Sequence, residues 1–295
     1  MPPPDDPRVP LVQSSDRELA AEDRPRRGGH LEDGIALCLS GGGYRAMLFH
    51  LGALWYLNER GFLSRIERFS SVSGGSITAA ALGMHWRALE FDAAGVARGF
   101  PRVVQAVRGM AGTTIDRDAI LGGILSPASV GERLTALYRK HLFGDATLQD
   151  LPARPRFVIN ATNVQSGALF RFSRPYVWDY RVGRIDRPRL PLAAAVAASS
   201  AFPPVLSPIR LDLPAGAFAA GSGDDLQRPP FTRHVVLTDG GVYDNLGIET
   251  AWKRYSTILV SDAGGKLAPE PDPKADWVQH SVRVMGLIDN QVRSL

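Results

Sequence analysis

Ser73 lies in Phe69-Ser-Ser-Val-Ser-Gly-Gly-Ser-Ile77, where an apolar run ends at Val72 and a Gly/Ala-rich helical pattern starts at Gly74. A turn this abrupt between strand and helix forces its middle residue into strained backbone and demands small neighbours. Ser71, Gly74, Gly75 and Ser76 meet that demand. The serine hydroxyl would then stand above the carboxyl edge of a sheet, facing the free N–H groups of the new helix, as a nucleophile does. A plain Gly/Ser-rich loop without chemistry fits these nine residues equally well, so the stretch needs partners before it means anything.

Two further segments supply them. Gly41-Gly42-Gly43 follows the apolar run Gly34-Ile-Ala-Leu-Cys-Leu-Ser40 and offers unobstructed backbone N–H donors. Such donors stabilise the oxyanion of a tetrahedral intermediate by about 3–4 kcal/mol each. The same glycines fit a competing pattern, because Gly41-x-Gly43-x-x-Ala46 is also a dinucleotide fingerprint. That reading requires an acidic residue closing the second strand to hold the ribose. Here the second strand closes on Val72-Ser73-Gly74. An oxyanion loop therefore fits better, and a thermal shift with NAD(P) or nucleotides, without ester turnover, is what the nucleotide-binding alternative predicts.

The base is the other requirement. The histidines are His30, His50, His85, His141, His234 and His280. A Ser–acid–His order needs a C-terminal histidine on a loop. Only His280 follows the acidic candidates, and it falls within a helical pattern. Asp239, at the end of Val235-Val-Leu-Thr-Asp-Gly-Gly241, is the better base if it reaches the serine hydroxyl. An Asp-Gly that merely forms a turn is the plain reading of that residue.

Positioning these groups takes alternating strands and helices. The run 34–40, a helix bearing Met47, Leu48, Leu51, Leu54 and Trp55 on one face, the strand ending at Val72 and a helix to about Glu90 form a βαβα unit. That alternation predicts an α/β fold, a three-layer sandwich with a mostly parallel central sheet and helices on both faces. All three chemical segments are then expected at the carboxyl edge of one parallel sheet. Residues 91–150 read as a helical cap. Arg156–Ala161 and Ala168–Phe172 read as a hairpin, 212–232 as a surface loop, and a helix is expected near Ile248. Thr257–Val260 reads as one more strand, and the last segment as an amphipathic helix with Trp277, Val278, Val282, Met285 and Val292. Residues 1–30, rich in Pro, Asp and Arg, read as a flexible tail, leaving 31–295 as a single domain.

Composition bounds the rest. At 295 residues with 44% hydrophobic and 22% charged side chains, the chain can bury a full core. Cys38 is the only cysteine, so no internal disulfide forms, and its apolar setting predicts a buried thiol. The absence of cysteine pairs predicts a cytoplasmic location. The net charge of +4 and pI near 9.4 suit an anionic membrane surface or anionic substrate. No basic stripe argues for nucleic acid. No stretch is apolar enough to span a bilayer and the N-terminus carries no signal-peptide pattern, so any membrane contact is expected to be peripheral.

Taken in order, Ser40-Gly-Gly-Gly-Tyr-Arg-Ala46, Val72-Ser-Gly-Gly-Ser76 and Asp239-Gly-Gly241 resemble the blocks of the patatin-like phospholipases, serine lipid acyl hydrolases related to the cytosolic phospholipases A2. Ala161-Thr-Asn-Val-Gln-Ser-Gly-Ala-Leu-Phe-Arg-Phe172 and Ala198-Ser-Ser-Ala-Phe-Pro-Pro204 extend the resemblance, which runs from about Ile35 to Asp262. The resemblance implies a Ser–Asp dyad without histidine: Ser73 as nucleophile, Asp239 as base, and Gly41, Gly42 and Gly43 around the oxyanion. It also implies Arg45 near a lipid phosphate and an acyl-ester lipid substrate. No ligand cluster of His, Cys or carboxylates stands out in the sequence, so no metal or organic cofactor is expected. A catalytically silent member of the family, acting as a regulatory module, is the other reading it allows. One position departs from the family elbow G-x-S-x-G, since Ser71 stands where glycine is usual.

Overall fold

The computed structural model describes residues 31–112, 127–204, 206–252, 254–265 and 267–293. The first strand, β1 (Glu32–Leu39), leads into helix α1 (Gly43–Glu59), and β2 (Ile66–Val72) into α2 (Gly74–His85). Helices α3 (Phe100–Ala111) and α4 (Pro127–Tyr138) follow. Next come β3 (Arg156–Asn163), β4 (Ala168–Ser173), β5 (Tyr176–Asp179), β6 (Gly183–Asp186) and helix α5 (Leu192–Ser199). The chain continues through β7 (Ile209–Asp212), β8 (His234–Asp239), the single turn α6 (Gly241–Asp244), β9 (Tyr255–Ser261) and α7 (Trp277–Arg293).

One mixed sheet runs β6-β5-β4-β3-β2-β1-β9, with β8 also paired to β3 and β7 to β8. Strands β3, β2, β1 and the edge strand β9 are parallel, as the βα alternation predicts, and an antiparallel meander β4–β6 extends the other margin. Leu37 and Leu39 of β1, Phe69 of β2 and Phe157 and Ile159 of β3 face the main core with Met47, Leu51 and Leu54 of α1. The two-residue period sends Ala36 and Cys38 to the opposite face, where both are fully buried against Ala251 and Tyr255. Burial there raises the Cys38 thiol pKa to about 12, leaving it inert.

Helix α2 is buried around its whole girth from Gly74 to Gly83. Its Gly/Ala composition fits that position, because small side chains let α1 and the sheet close on it from several directions. The stretch expected as a helical cap contributes α3 and α4. Their residues Val103, Val107, Met110, Leu134 and Tyr138 join the main core, and 113–126 lie outside the described residues, as does the 1–30 tail.

The opposite face carries a thinner, more polar layer. Arg68, 2% exposed, donates to Thr250 O at 2.9 Å, and Ser70 Oγ donates to Gly247 O at 2.5 Å. The helix expected near Ile248 is absent. After the single turn of α6, the Asp244 carboxylate captures the N–H groups of Leu246, Gly247 and Glu249, at 3.2, 3.0 and 2.7 Å, and diverts the chain from helical hydrogen bonding. No helix among the described residues is long and apolar enough to cross a membrane.

The topology also revises where Asp239 comes from. The expectation put Asp239 at the carboxyl edge of one parallel sheet, its strand pointing the same way as the others. Instead β8 runs antiparallel to β3. Strand β2 pairs with β3 as far as Val72 opposite Asn160, while β8 pairs from Asp239 opposite Ala161 onward. Because β4 fills the other flank of β3 from Val158 to Asn163, β2 and β8 lie end to end on one flank and meet at consecutive residues of β3.

Candidate functional site

Where β2 stops, Ser73 adopts φ 51° and ψ −121°, a positive φ that no other residue of the elbow shares. Holding a non-glycine residue there costs on the order of 1–3 kcal/mol, so the surroundings must impose it. They do so through small residues. A side chain on Gly74 would collide with the Gly43 carbonyl, and one on Gly75 would meet the Leu39 and Ser40 carbonyls at 2.5 and 2.7 Å. The elbow and the triple-glycine loop are thus in direct contact.

Ser71, the departure from G-x-S-x-G, is accommodated by hydrogen bonding. Its hydroxyl donates to Val158 O of β3 at 3.2 Å and accepts from Ser76 Oγ at 3.0 Å. The extra hydroxymethyl therefore ties the elbow to the neighbouring strand.

Asp239 faces this elbow from the end of β8 and is 2% exposed. Its Oδ1 accepts the Gly241 N–H at 2.7 Å. Its Oδ2 is buried and accepts no well-aligned hydrogen bond among the described residues. Burial raises the carboxyl pKa from 3.8 to about 7, with the Gly241 N–H and then the Ser73 hydroxyl pulling it down. Ser73 is thus near enough to favour the anion without a well-aligned bond to Oδ2, a looseness common in sites without substrate. A carboxylate with a free oxygen and a pKa near neutrality is suited to accept a proton.

The three glycines play different parts. Gly42 and Gly43 have φ of 133° and 65°, which side chains rarely adopt, and neither N–H donates to a backbone carbonyl among the described residues. The Gly41 N–H donates to Asn245 O at 2.9 Å. Gly41 therefore lines the site, with room for a Cβ denied by Asn245 Oδ1 and by Ser73 Cβ at 3.3 Å, but its N–H is not free for an oxyanion. Arg45 is exposed in the first turn of α1, beside this loop, with Nη2 donating to Ala263 O at 3.4 Å.

Among the described residues, no histidine joins the constellation. His50 is buried, with Nε2 2.9 Å from Ser40 O and Nδ1 2.9 Å from Ser261 Oγ, and burial holds its pKa below the ordinary value. His234 pairs with Asp212 at the far end of β8, and His280 is exposed on α7. His30 lies outside the described residues.

Three residues at the site escape the sequence reading. Asn160 Nδ2 donates to Ser71 O at 3.0 Å and Ser70 Oγ at 2.9 Å, bracing the last residues of β2. Asn245 holds the glycine loop by its carbonyl, while its Nδ2 donates to Asp289 Oδ1 of α7 at 2.9 Å. Ser199, at the end of α5, accepts the Ser73 N–H at 3.0 Å. Only Ser199 carried a signal, as part of the Ala198–Pro204 block; Asn160 and Asn245 look like ordinary strand and turn residues.

A mostly parallel sheet at its centre, with a sharp strand–Ser–helix turn and a glycine loop beside it, makes this an α/β protein. Residues 37–252, nearly three quarters of the chain, match the family model described as patatin-like phospholipase. The chain belongs to the patatin-like phospholipase family. No curated protein sequence matches it. Human GIVD cytosolic phospholipase A2 shares its fold with a TM-score of 0.50 at 14% identity, over 77% of this chain and 42% of that one. The same human enzyme in complex with methyl γ-linolenyl fluorophosphonate aligns with a TM-score of 0.39 at 19% identity, over 56% and 29%. VipD from Legionella pneumophila aligns with a TM-score of 0.35 at 18% identity, over 73% and 47%. The chain spans less than half the length of each of these proteins.

Proposed function

We propose that this protein hydrolyses acyl esters of phospholipids or related lipids through a Ser73–Asp239 dyad and an acyl-enzyme. The observation that carries the reading is the end-to-end meeting of β2 and β8, which sets the strained Ser73 against a buried carboxylate with one unengaged oxygen. Family membership supports lipid esters as the substrate class.

In this reading Ser73 Oγ attacks the acyl carbonyl carbon while its proton passes to Asp239 Oδ2. The carbonyl oxygen becomes an oxyanion, held by the N–H groups of Gly42 and Gly43. Collapse breaks the ester bond, and Asp239 returns the proton to the departing alcohol, leaving the acyl group on Ser73. Water then attacks this acyl-enzyme, giving its proton to Asp239, and releases the fatty acid as Ser73 recovers its hydrogen. Arg45, exposed beside the glycine loop, is assigned to the lipid phosphate as a fixed cation. The enzyme works as one domain from residue 31, in the cytoplasm, meeting its substrate at a membrane surface without spanning it.

The test is incubation with a fluorophosphonate, peptide mapping, and turnover of a panel of phospholipids, lysolipids and neutral esters. The expected adduct is on Ser73, with hydrolysis of at least one acyl lipid; an adduct on another serine overturns the elbow. Fold retention with no turnover on any chain length favours the silent regulatory reading.

A pH profile gives a second expectation. Because Asp239 must be ionised to accept the proton, and burial raises its pKa to about 7, kcat/KM should rise with pH, bend near 7 and level off above it. Full activity persisting down to pH 5 would remove Asp239 from the role of base.

A further inference from the structure

We propose that Ser199 is a positioning residue for the dyad: its hydroxyl bridges the point where β2 stops and β8 begins on the flank of β3, and so sets the separation of Ser73 from Asp239. This rests on the hydrolase reading above.

A strand continuing past Val72 beside Asn160 would send the next N–H directly to the β3 carbonyl. Here a side chain stands between. The Ser73 N–H donates to Ser199 Oγ at 3.0 Å, and Ser199 Oγ donates to Asn160 O at 2.6 Å. A hydroxyl is suited to this place because one oxygen can accept and donate at once. The interposed atom widens the gap between the end of β2 and β3 and holds the elbow at its unusual backbone angles.

The same short segment fixes the other half of the dyad. Ser199 O accepts the Gly240 N–H at 3.2 Å, and Ala201 O accepts both the Asp239 N–H and Thr238 Oγ1 at 3.0 Å. Ser199 thus bonds to the nucleophile by its side chain and to the residue after the base by its backbone. Ser199 is fully buried, and the following Ser200 is 3.1 Å from the hydroxyl of Tyr138 in α4. Ser76 Oγ, 2.9 Å from Ser199 Oγ and 3.0 Å from Ser71 Oγ, closes a serine cluster beneath the elbow. The small residues of α5 allow this approach, since Ala195, Val196, Ala197 and Ala198 are all fully buried.

The experiment compares Ser199→Ala with Ser173→Ala, whose hydroxyl is equally buried and donates to Tyr176 O at 2.8 Å in the β4–β5 turn. In Ser199→Ala, kcat should fall by about 10²-fold with KM within about threefold, as misplacement of a reacting group predicts. Fluorophosphonate labelling of Ser73 should slow in parallel. The titration midpoint of the Asp239 carboxyl, followed by NMR, should move up as the Ser73 hydroxyl draws away. Ser173→Ala should leave all of these unchanged, whatever it costs in melting temperature. If Ser199→Ala does not fold, Ser199→Cys, of similar size and weak hydrogen bonding, is read in the same way. A folded Ser199 variant with wild-type kcat and an unmoved midpoint overturns the proposal. Turnover that survives Ser73→Ala overturns the hydrolase reading instead, and the Asp239 midpoint then decides the role of Ser199 by itself.

Discussion

Ser73→Ala is expected to lower ester turnover by at least about 10⁴-fold while the protein keeps its fold and its melting temperature within a few degrees. The loss should be near complete because no neighbouring hydroxyl can take over. Ser71 Oγ is bonded to Val158 O, Ser199 Oγ to Asn160 O, and Ser76 Oγ lies between them. The fold should survive because the elbow is held by the Ser73 backbone N–H, which alanine retains, and by the glycines packed against the Gly43, Leu39 and Ser40 carbonyls. Turnover of an activated acyl ester, beside a thermal melt, makes the measurement. A folded variant with more than a few per cent of wild-type activity would mean that the hydrolysis belongs to another group.

Asp239→Asn should show a double effect, losing activity and gaining stability in a pH-dependent way. The folded carboxyl has its pKa raised from 3.8 to about 7 by burial. Between those values the native state holds a proton that the unfolded chain has released, so native stability falls as pH rises through this window and levels off above about 7. Below about pH 4 both states are protonated and the group costs nothing. The full shift corresponds to roughly 4 kcal/mol, an upper figure because the unfolded reference and local relaxation both reduce it. Asparagine removes the charge, keeps an oxygen for the Gly241 N–H and offers an amide toward Ser73. Its melting temperature should therefore exceed wild type at pH 8 and match it near pH 4, while kcat drops by about 10²–10⁴-fold, the contribution of a general base. A difference in melting temperature that is the same at both pH values would show that Asp239 is not a strained buried acid.

These two residues also mark how far the sequence could be read. Ser73 was legible because an elbow needs small neighbours in consecutive positions, and Ser71, Gly74, Gly75 and Ser76 are adjacent in the chain. Asp239 was legible as a strand-end acid beside paired glycines, and elimination of the histidines pointed to it. The helix expected near Ile248 failed for a reason no periodicity reveals, since the half-buried Asp244 carboxylate takes the amides that would have continued it. The antiparallel strands β5, β6 and β7 went unread because each is four residues long, too short for a repeating pattern to register.

By itself the sequence determined the local geometry: the apolar strands, the Gly/Ala helix, the glycine loop and the two turns that carry Ser73 and Asp239. These depend on contacts between neighbours in the chain, where residue size and backbone freedom decide the outcome. Tertiary structure decided how the two turns meet. They lie 166 positions apart in the numbering, and their approach depends on β8 entering against the direction of β2, a pairing that no local pattern encodes. It likewise decided that Gly41 spends its N–H on Asn245, and that a serine at the end of α5 occupies the gap between the two strand ends. Hydrogen bonds across such distances follow from the assembled sheet and leave no mark on the spacing of the residues that make them.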